Sequence, residues 1–515
     1  MPRESLTVEQ VRTAVAGAGL SVTLHGQPHA DVHLVDATVD SRAVADGTLF
    51  CAVPGSRLDG HDFATDAVNE GASALLVERV LEVPVPQIVV RDARSAVGHA
   101  AAAIHGHPSD ELLTIGVTGT NGKTTVVQMV AAILDHAGMN AGVVGTLHGA
   151  RTTPEAPDLQ RLLRTHVDDG RRATAMEVSS HALALHRVDG TAFDVVAFTN
   201  LGRDHLDLHG TQEEYFRAKS RLFDRRFSPV AVIDVDDPAG RLLADAVEAR
   251  SGAEAVHVVE VTAAQRSDVA AHPDRISFQW RDRDVAVPLG GAVNVANAHL
   301  ALEIAVAAGL DPDLAVDGLA TLGVVPGRFE LVDHPALRDR GVSAVVDYAH
   351  TPDALIGLLD GARAAVGPDA RVIVAFGCGG DRDREKRPEM GAAAARADQI
   401  VITSDNPRTE DPLEIIRETA AGVPADRRSD TVTEADRRVA IGVALAAARS
   451  GDIVVVAGKG HETTQDLGDR TVDFDDRIVI ADEAERLASP SWPPAHPPGD
   501  ETSDHEEGPD ACSPS

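Results

Sequence analysis

Short apolar runs rich in Val and Ile recur along the chain, separated by longer segments whose apolar residues follow a helical period. Such runs predict buried strands, and the segments between them predict the crossover helices of βαβ units. The alternation therefore predicts an α/β fold with mostly parallel sheets. The clearest predicted strands cover residues 112–118, 173–178, 195–199, 230–235, 345–348, 372–376, 400–403 and 453–457.

Residues 256–289 have a different pattern, because apolar and polar residues alternate there and helix formers are few. We interpret this stretch as an antiparallel insertion. Breaks at His105-Gly-His-Pro-Ser109 and Val325-Pro-Gly-Arg328 predict domain boundaries. The predicted domains cover residues 1–107, 108–327 and 328–488. Residues 489–515 are rich in Pro, Asp and Glu, and we predict a disordered tail.

Composition narrows the class of protein. A length of 515 residues suits about three domains. The net charge of −33 argues against nucleic-acid binding and against an anionic membrane surface. Three widely spaced cysteines, no apolar run of membrane-spanning length and no apolar leader at the N-terminus predict a cytoplasmic protein. An anionic ligand would need local Arg clusters or helix N-termini to overcome the negative field.

The chain contains only four lysines beside 43 arginines: Lys123, Lys219, Lys386 and Lys459. Arg serves wherever a solvated positive charge suffices, so a retained Lys suggests work that needs a compact charge or a primary amine. Each of the four lies in a glycine-rich or charged cluster. This distribution favours an enzyme.

Residues 112–125 combine a buried strand, a glycine loop and a helix start. The loop reads Gly119-Thr120-Asn121-Gly122-Lys123-Thr124-Thr125. Its backbone N–H groups would face phosphates, Lys123 would reach the β- and γ-phosphates, and the Thr124 hydroxyl would bind Mg²⁺. Val117 stands where the strict P-loop pattern has its first Gly. A plain glycine turn would explain the glycines, but not Gly-Lys-Thr-Thr after a strand.

Two further loops that follow predicted strands carry candidate metal ligands. Glu177 ends one strand, and the stretch 198–209 collects carboxylates and imidazoles after another. Mg²⁺ prefers oxygen ligands and keeps several waters, so Glu177 and Thr124 suit one ion and His205 suits a second. The alternative is that these side chains are solvated loop residues.

The loop Thr118-Gly-Thr-Asn-Gly-Lys-Thr124 resembles that of the Mur ligase superfamily, ATP-dependent amide-forming enzymes. The resemblance covers nearly the whole chain except the tail. It implies a UDP-sugar-binding first domain, a central parallel-sheet P-loop ATPase domain and a C-terminal Rossmann-like domain. It also implies that Lys219 is carbamylated and helps hold the second Mg²⁺. The alternative for Lys219 is an exposed helix lysine, although the chain uses arginine at Arg217 and Arg221 on the same predicted helix.

The resemblance implies ligand contacts at further positions. Those for the UDP-muramoyl dipeptide are Ser41 (in Asp-Ser-Arg), Thr152, Thr153, Ser179 and Arg187. Those for adenosine and phosphates are Asn294, Asn297, Arg328 and Asp347. Leu185 departs from the family pattern, because a Gln often contacts the substrate at that position.

Asp405-Asn406-Pro407-Arg408 resembles the signature of family members that add meso-diaminopimelate. Diaminopimelate differs from lysine by one carboxylate, which a guanidinium can bind with two hydrogen bonds. Arg382 would support Arg408, and Gly458 and Glu462 would accept the distal ammonium. The alternative for this motif is an Asn-Pro turn with an exposed Arg.

The resemblance implies that ATP phosphorylates the D-Glu γ-carboxylate of UDP-N-acetylmuramoyl-L-Ala-D-Glu and that an amine of diaminopimelate attacks the acyl phosphate. Lys123, Lys219 and Arg328 are the predicted catalytic residues, with ATP and Mg²⁺ as cofactors. No side chain is a clear base for the amine, and a closing motion is expected. The alternatives are a sister ligase for lysine or folate, and a catalytically silent nucleotide-binding protein. The sequence leaves oligomeric state open.

Overall fold

The computed structural model describes residues 5–26, 32–55 and 58–489, without the side chains of residues 206 and 207. The predicted tail lies outside the described residues from 490 onward. The elements fall into three successive groups, each built on one main sheet.

The first group contains a five-stranded sheet in the order β2-β7-β6-β5-β4, in which only the β2–β7 pair is antiparallel. Strands β1 and β3 pair separately. The strands are β1 (Leu6–Thr7), β2 (Val22–His25), β3 (His33–Leu34), β4 (Asp36–Thr38), β5 (Thr48–Cys51), β6 (Ala72–Val77) and β7 (Gln87–Val90). The helices are α1 (Val8–Gly17), α2 (Ala64–Asn69) and α3 (Ala93–Ile104).

The central group contains a six-stranded, wholly parallel sheet in the order β13-β12-β11-β8-β10-β9, followed by an antiparallel sheet β14-β15-β16. Its strands are β8 (Leu113–Thr118), β9 (Gly142–Val144), β10 (Ala173–Glu177), β11 (Val195–Phe198), β12 (Val230–Asp234), β13 (His257–Val261), β14 (Arg266–Ala271), β15 (Ile276–Trp280) and β16 (Arg283–Val287). Its helices are α4 (Lys123–His136), α5 (Ala156–Asp168), α6 (Ser180–Ala184), α7 (Leu206–His209), α8 (Gln212–Ser220), α9 (Pro238–Glu248), α10 (Val293–Ala307) and α11 (Pro312–Leu319).

The third group contains another six-stranded sheet in the order β17-β18-β22-β19-β20-β21, parallel except for the edge strand β17. Its strands are β17 (Glu330–Leu331), β18 (Ser343–Asp347), β19 (Val372–Cys378), β20 (Gln399–Ser404), β21 (Thr431–Thr433), β22 (Ile453–Ala457) and the hairpin β23 (Thr464–Asp466) with β24 (Thr471–Asp473). Its helices are α12 (Pro335–Arg340), α13 (Pro352–Ala364), α14 (Lys386–Ala394), α15 (Pro412–Ala421), α16 (Arg437–Ala447) and α17 (Asp476–Ala488).

The predicted α/β class with mostly parallel sheets is confirmed, and one detail is wrong. Residues 256–289 are not all antiparallel, because β13 pairs in parallel with β12 at the edge of the central sheet. Only β14 to β16 form the antiparallel sheet. An edge strand exposes part of its surface, so β13 carries the exposed polar residues His257 and Glu260, which a half-solvated antiparallel strand would also carry.

Helices cover both faces of the central and third sheets, which explains why their inner strands are apolar on both sides. In the central sheet, α4, α10 and α11 pack on one face around a core of Val, Ile, Leu and Ala. Helices α5, α6 and α9 cover the other face. Among the described residues, no helix is long and apolar enough to cross a membrane.

The predicted breaks fall between α3 and β8 and between α11 and β17, and the exact domain limits stay a prediction. Asp36 links the first two groups, since its carboxylate accepts hydrogen bonds from Arg161 at 3.0 and 3.1 Å and lies 3.2 Å from His105 Nε2. Despite burial, these partners lower the pKa of Asp36 to about 2.

Candidate active site

A cavity of about 600 Å³ opens at the carboxyl edge of the central sheet and is closed on one side by the third group. Strand β8 lies between β10 and β11, so the loops that leave these three neighbours meet at one edge. Of the predicted site residues, the cavity is lined by Thr120, Asn121, Gly122, Lys123, Thr124, Thr125, Thr152, Glu177, Ser179, His205, Lys219, Asn294, Asn297, Arg328 and Asp347.

The phosphate loop turns at two glycines with positive φ, Gly119 (146°) and Gly122 (86°), and α4 begins at Lys123. A Cβ on Gly119 would lie 1.9 Å from Thr199 Oγ1, and one on Gly122 would lie 2.5 Å from Asn297 Oδ1. Both positions therefore need glycine. Val117 is fully buried inside β8, so the strand simply continues past the position of the usual first Gly.

Two lysine amines meet at the carbonyl of Gly119. Lys123 Nζ donates to the Gly119 and Thr120 carbonyls at 2.9 and 2.7 Å, and Lys219 Nζ donates to the Gly119 carbonyl at 2.7 Å. Lys219 is only 1% exposed, so its interpretation as an exposed helix lysine is wrong. Burial and the nearby Lys123 charge lower the pKa of Lys219 well below its usual value. Burial also lowers the pKa of Lys123.

Asn200, which the sequence did not single out, fixes the phosphate loop from the neighbouring strand. Its Oδ1 accepts the Asn121 N–H at 3.0 Å, its Nδ2 donates to the Asn121 carbonyl at 3.2 Å, and its carbonyl accepts the Thr120 N–H at 2.9 Å. The available signal was its place directly after Thr199 at a strand end. These bonds satisfy backbone polar groups of the loop and so fix its conformation.

Glu177 is 1% exposed and lies at the cavity wall at the end of β10. Its Oε1 accepts the Thr146 N–H at 2.8 Å, and its backbone carbonyl accepts the Thr153 hydroxyl at 2.8 Å. Ser179 donates its N–H to Thr153 Oγ1 at 3.1 Å, and Thr152 Oγ1 lies 3.0 Å from Thr146 Oγ1. These predicted dipeptide contacts are therefore assembled around the predicted metal ligand.

Arg187 reaches the same wall. Its guanidinium donates to the Thr153 carbonyl at 3.2 Å and pairs with Glu155 at 2.8 Å. Its Nε is buried without a hydrogen-bond partner among the described residues. Leu185 follows α6 half-buried, and its side chain adds no polar group there.

His205 lines the cavity from the loop after β11, in a left-handed conformation (φ 54°). Burial lowers its pKa to about 4, although Asp204 Oδ2 lies 3.3 Å from its Nε2. A neutral imidazole can ligate a metal. Asp204, which the sequence placed among the loop carboxylates without a role, also lines the cavity near Lys219.

The residues fit Mg²⁺ as an ion held jointly by protein and phosphate. Within the part of the chain described, no three His, Cys, Asp or Glu side chains converge to form a complete metal cage. Mg²⁺ is bound through one or two carboxylates plus waters and substrate phosphates. Glu177 and the hydroxyl of Thr124 provide such a partial set beside the phosphate loop.

Arg328 enters the cavity from the start of the third group. Its guanidinium donates to Thr124 Oγ1 at 3.1 Å and lies 4.6 Å above the Tyr348 ring. Asp347 accepts the N–H groups of Phe329 and Ala349 at 2.7 and 2.8 Å, and burial raises its pKa. Tyr348, which was not predicted as a site residue from the sequence, follows Asp347 at the end of β18.

Asn294 and Asn297 lie one turn apart on α10, both buried behind the phosphate loop. Asn297 Nδ2 donates to Asn294 Oδ1 at 2.9 Å, and Asn294 Nδ2 donates to the Gly290 carbonyl at 2.7 Å. These two linked amides line the cavity from α10.

Contacts between the central and third groups surround the cavity mouth. The Arg203 N–H donates to Asp353 Oδ2 at 3.0 Å, and its guanidinium pairs with Glu385 at 3.3 Å and with Glu389. These contacts of Arg203 join the central group to the third group. Within the third group, Lys386 Nζ donates to the His350 carbonyl at 3.1 Å.

The predicted amino-acid residues form a second cluster in the third group, at the carboxyl ends of β20 and β22. Asn406 Nδ2 donates to Glu462 Oε2 at 2.9 Å, and Arg408 donates to the Gly380 carbonyl at 2.6 Å. Asp405 and Pro407 are buried, and Gly458 turns with φ 112° beside Asp405. Arg408 is half-buried, so the alternative of an Asn-Pro turn with an exposed Arg is wrong.

Two predicted ligand-binding residues lie at the edge of these clusters or outside them. Arg382 is exposed near Gly379, whose added Cβ would lie 3.7 Å from Arg382 Cγ. Ser41 lies in the first group, in a short 3₁₀ turn capped by Asp40, and is not among the described residues that line the cavity.

A phosphate loop with two lysine amines, facing a Rossmann-like sheet across a shared cavity, defines a nucleotide-dependent enzyme of the P-loop α/β class. The chain belongs to the Mur ligase family. Three family models match it: the Mur ligase family catalytic domain at residues 33–112, the Mur ligase middle domain at 117–305 and the Mur ligase glutamate ligase domain at 327–460.

Several relatives share one description, and their similarity to this chain extends over nearly its whole length. The UDP-N-acetylmuramoyl-L-alanyl-D-glutamate–2,6-diaminopimelate ligase of Streptomyces avermitilis is 42% identical, with 88% of this chain and 93% of that protein covered. The ligase of that description from Geobacillus kaustophilus is 42% identical, with coverage of 87% and 94%. A solved structure so described is 31% identical, with a TM-score of 0.65 and coverage of 94% and 99%.

Proposed function

We propose that the protein is an ATP-dependent ligase that joins meso-diaminopimelate to the D-Glu γ-carboxylate of UDP-N-acetylmuramoyl-L-Ala-D-Glu, a cytoplasmic step of peptidoglycan synthesis. One observation carries the proposal: a phosphate loop and an acid-lined wall share a cavity with the third group, which also holds the Asp-Asn-Pro-Arg cluster. The names of the relatives give the same reaction.

The phosphate loop binds the triphosphate of ATP, and the D-Glu carboxylate attacks the γ-phosphorus. The phosphorus–oxygen bond to ADP breaks as the acyl phosphate forms. The Lys123 amine releases the loop carbonyls that it contacts and donates to phosphate oxygens instead. The Arg328 guanidinium turns towards the same phosphates. Phosphoryl transfer needs mainly such positioning and charge neutralisation.

Mg²⁺ supplies further neutralisation of the phosphates when bound. Thr124 and Glu177 would hold one ion, and His205 with a carbamate on Lys219 would hold a second. The carbamate forms when the neutral Lys219 amine attacks the carbon of CO₂ and loses a proton. The lowered pKa of Lys219 favours the required neutral amine. The product is an anion beside Lys123, so the repulsion that two ammonium groups would have is replaced by attraction.

The acyl phosphate then meets the amino acid bound at the third group. Arg408 takes the distal carboxylate of diaminopimelate, and Glu462 takes the distal ammonium. The reacting amine attacks the acyl carbon as a neutral group, and phosphate leaves from the tetrahedral intermediate. Approach of the two walls brings the amine to the acyl phosphate, and the Arg203 contacts lie where the walls meet.

The deciding measurement is phosphate release that depends on the added amino acid. With ATP, Mg²⁺ and UDP-muramoyl dipeptide, diaminopimelate should support turnover, and lysine and ornithine should support little. Preference for lysine would favour the sister-ligase alternative. Absence of turnover with every amino acid would favour a silent nucleotide-binding protein.

Lys219→Arg should be nearly inactive although it keeps the charge, because a guanidinium forms no carbamate near neutral pH. Lys219→Ala should regain part of its activity when a short-chain carboxylate is added in place of the carbamate. Arg217→Ala, at an exposed position of the same helix, is the matched control. Full activity of Lys219→Arg would remove the carbamate from the mechanism.

A further inference from the structure

Lys459 is fully buried two residues after the end of β22 and has no part in the reaction proposed above. Its ammonium donates to the Thr464 carbonyl at 2.5 Å, to Glu462 Oε2 at 3.1 Å and to Asn406 Oδ1 at 3.3 Å. A buried ammonium needs such a set of acceptors to offset its lost hydration. All three lie on the two segments that form the amino-acid cluster.

The Lys459 ammonium fixes the orientation of the Asn406 amide. An ammonium has only donors, so the atom of Asn406 that faces it must be the carbonyl oxygen. The same Oδ1 accepts the Asp466 N–H at 2.9 Å. Asn406 Nδ2 must then point the other way, towards Glu462. A rotated amide would place two donors against Lys459 and leave Glu462 without this bond.

Lys459 also sets the position of Glu462. Both the ammonium and Asn406 Nδ2 bind Oε2, which leaves Oε1 as the oxygen for an incoming donor. Without Lys459, Glu462 Oε2 would lose this ion pair at 3.1 Å. The distal end of diaminopimelate carries one positive and one negative charge, and Glu462 and Arg408 provide the matching charges.

Stability alone does not explain a buried lysine here. Replacing a buried ion pair by apolar residues is often neutral or stabilising, whereas breaking one costs stability. The ammonium instead joins the 405–408 turn to the 462–466 segment, which also meet through Gln465 Nε2 and the Asp405 carbonyl at 2.6 Å. The network determines where the acceptor and donor groups of the cluster lie.

We infer that Lys459 is a positioning residue for the amino-acid substrate, acting through Asn406 and Glu462. This inference rests on the proposed function. Lys459 sets the affinity for the distal ammonium of the amino acid and contributes nothing to formation of the acyl phosphate.

The test compares Lys459→Met, which keeps the length and removes the charge, with wild type in two assays. One measures kcat and KM for diaminopimelate. The other measures exchange of labelled ADP into ATP, which requires the UDP-dipeptide but no amino acid. We expect KM for diaminopimelate to rise on the order of 10²-fold, because a buried charge network is broken. The exchange rate and KM for the UDP-dipeptide should keep their wild-type values.

A double-mutant cycle with Glu462→Gln separates positioning from general damage. If Lys459 acts through Glu462, Lys459→Met should add little to KM once Glu462→Gln is present. Lys459→Gln, which retains a donor, should recover part of the loss and serves if Lys459→Met fails to fold. Arg417→Met, at an exposed arginine of α15 in the same group, is the control for the substitution itself.

An unchanged KM in Lys459→Met, or a loss shared equally by exchange and amide formation, would overturn the inference. Strict additivity in the cycle would do the same. Failure of the proposed function is distinguishable, because wild type would then show no turnover with diaminopimelate in the first assay.

Discussion

Lys123→Ala should abolish acyl-phosphate formation. The Lys123 amine lies at the turn of the phosphate loop, where its two hydrogen bonds go to loop carbonyls that ATP phosphates can replace. Loss of one such preorganised contact to a developing charge costs on the order of 10²-fold or more in rate. The measurement is UDP-dipeptide-dependent exchange of labelled ADP into ATP, together with amino-acid-dependent phosphate release.

The matched control is Gln128→Ala, further along α4, where the side chain contacts His148 and not the cavity lining. If α4 were merely destabilised by alanine, both variants would lose activity together. Near wild-type exchange in Lys123→Ala would remove this lysine from the reaction. Retained ATP binding with lost exchange would show that Lys123 acts on the transferred phosphoryl group.

The sequence predicted the fold class and the phosphate loop because their patterns are local. A buried strand, a glycine turn and a helix start lie within residues 112–125, and the structure shows them in that order. Polarity alone could not distinguish β13 from an antiparallel strand, because pairing direction depends on its distant partner β12. Local pattern therefore determined the element but not its neighbour.

Site residues that follow strand ends could be predicted from the sequence. Residues that act by supporting other side chains were harder to predict. Glu177 and Lys123 were found because they follow strands in the glycine- or acid-rich loops. Asn200 and Tyr348 were missed because their roles come from contacts with Asn121 and Arg328 across the fold. The sequence showed that Lys459 was unusual, but only its three buried acceptors suggest why.

Arg408 should determine the choice of amino acid. Its backbone is held in a left-handed conformation (φ 53°), with its N–H bonded to the Asp466 carbonyl at 3.2 Å. Its guanidinium donates to the Gly380 carbonyl at 2.6 Å, so the side chain is directed into the cluster before substrate binds. A guanidinium held in this way can bind a carboxylate with little further ordering.

Wild type should therefore favour diaminopimelate over lysine by at least about 10³-fold in kcat/KM, since lysine leaves the guanidinium without its carboxylate. Arg408→Ala should lose on the order of 10²-fold or more for diaminopimelate and little for lysine, which narrows the ratio. It need not become a good lysine ligase, because Arg382 remains nearby. Arg408→Lys, which keeps the charge but not the planar fork, should fall between the two.

The experiment measures kcat/KM for both amino acids with wild type, Arg408→Ala and Arg408→Lys. ADP–ATP exchange in the same proteins shows whether the first half-reaction survives, as it should when only the amino-acid cluster changes. Arg382→Ala, at the exposed arginine of the facing loop, should have a smaller effect on the ratio than Arg408→Ala. An unchanged ratio in Arg408→Ala would mean that Arg408 does not bind the distal carboxylate, and selection of diaminopimelate would then have to come from other residues.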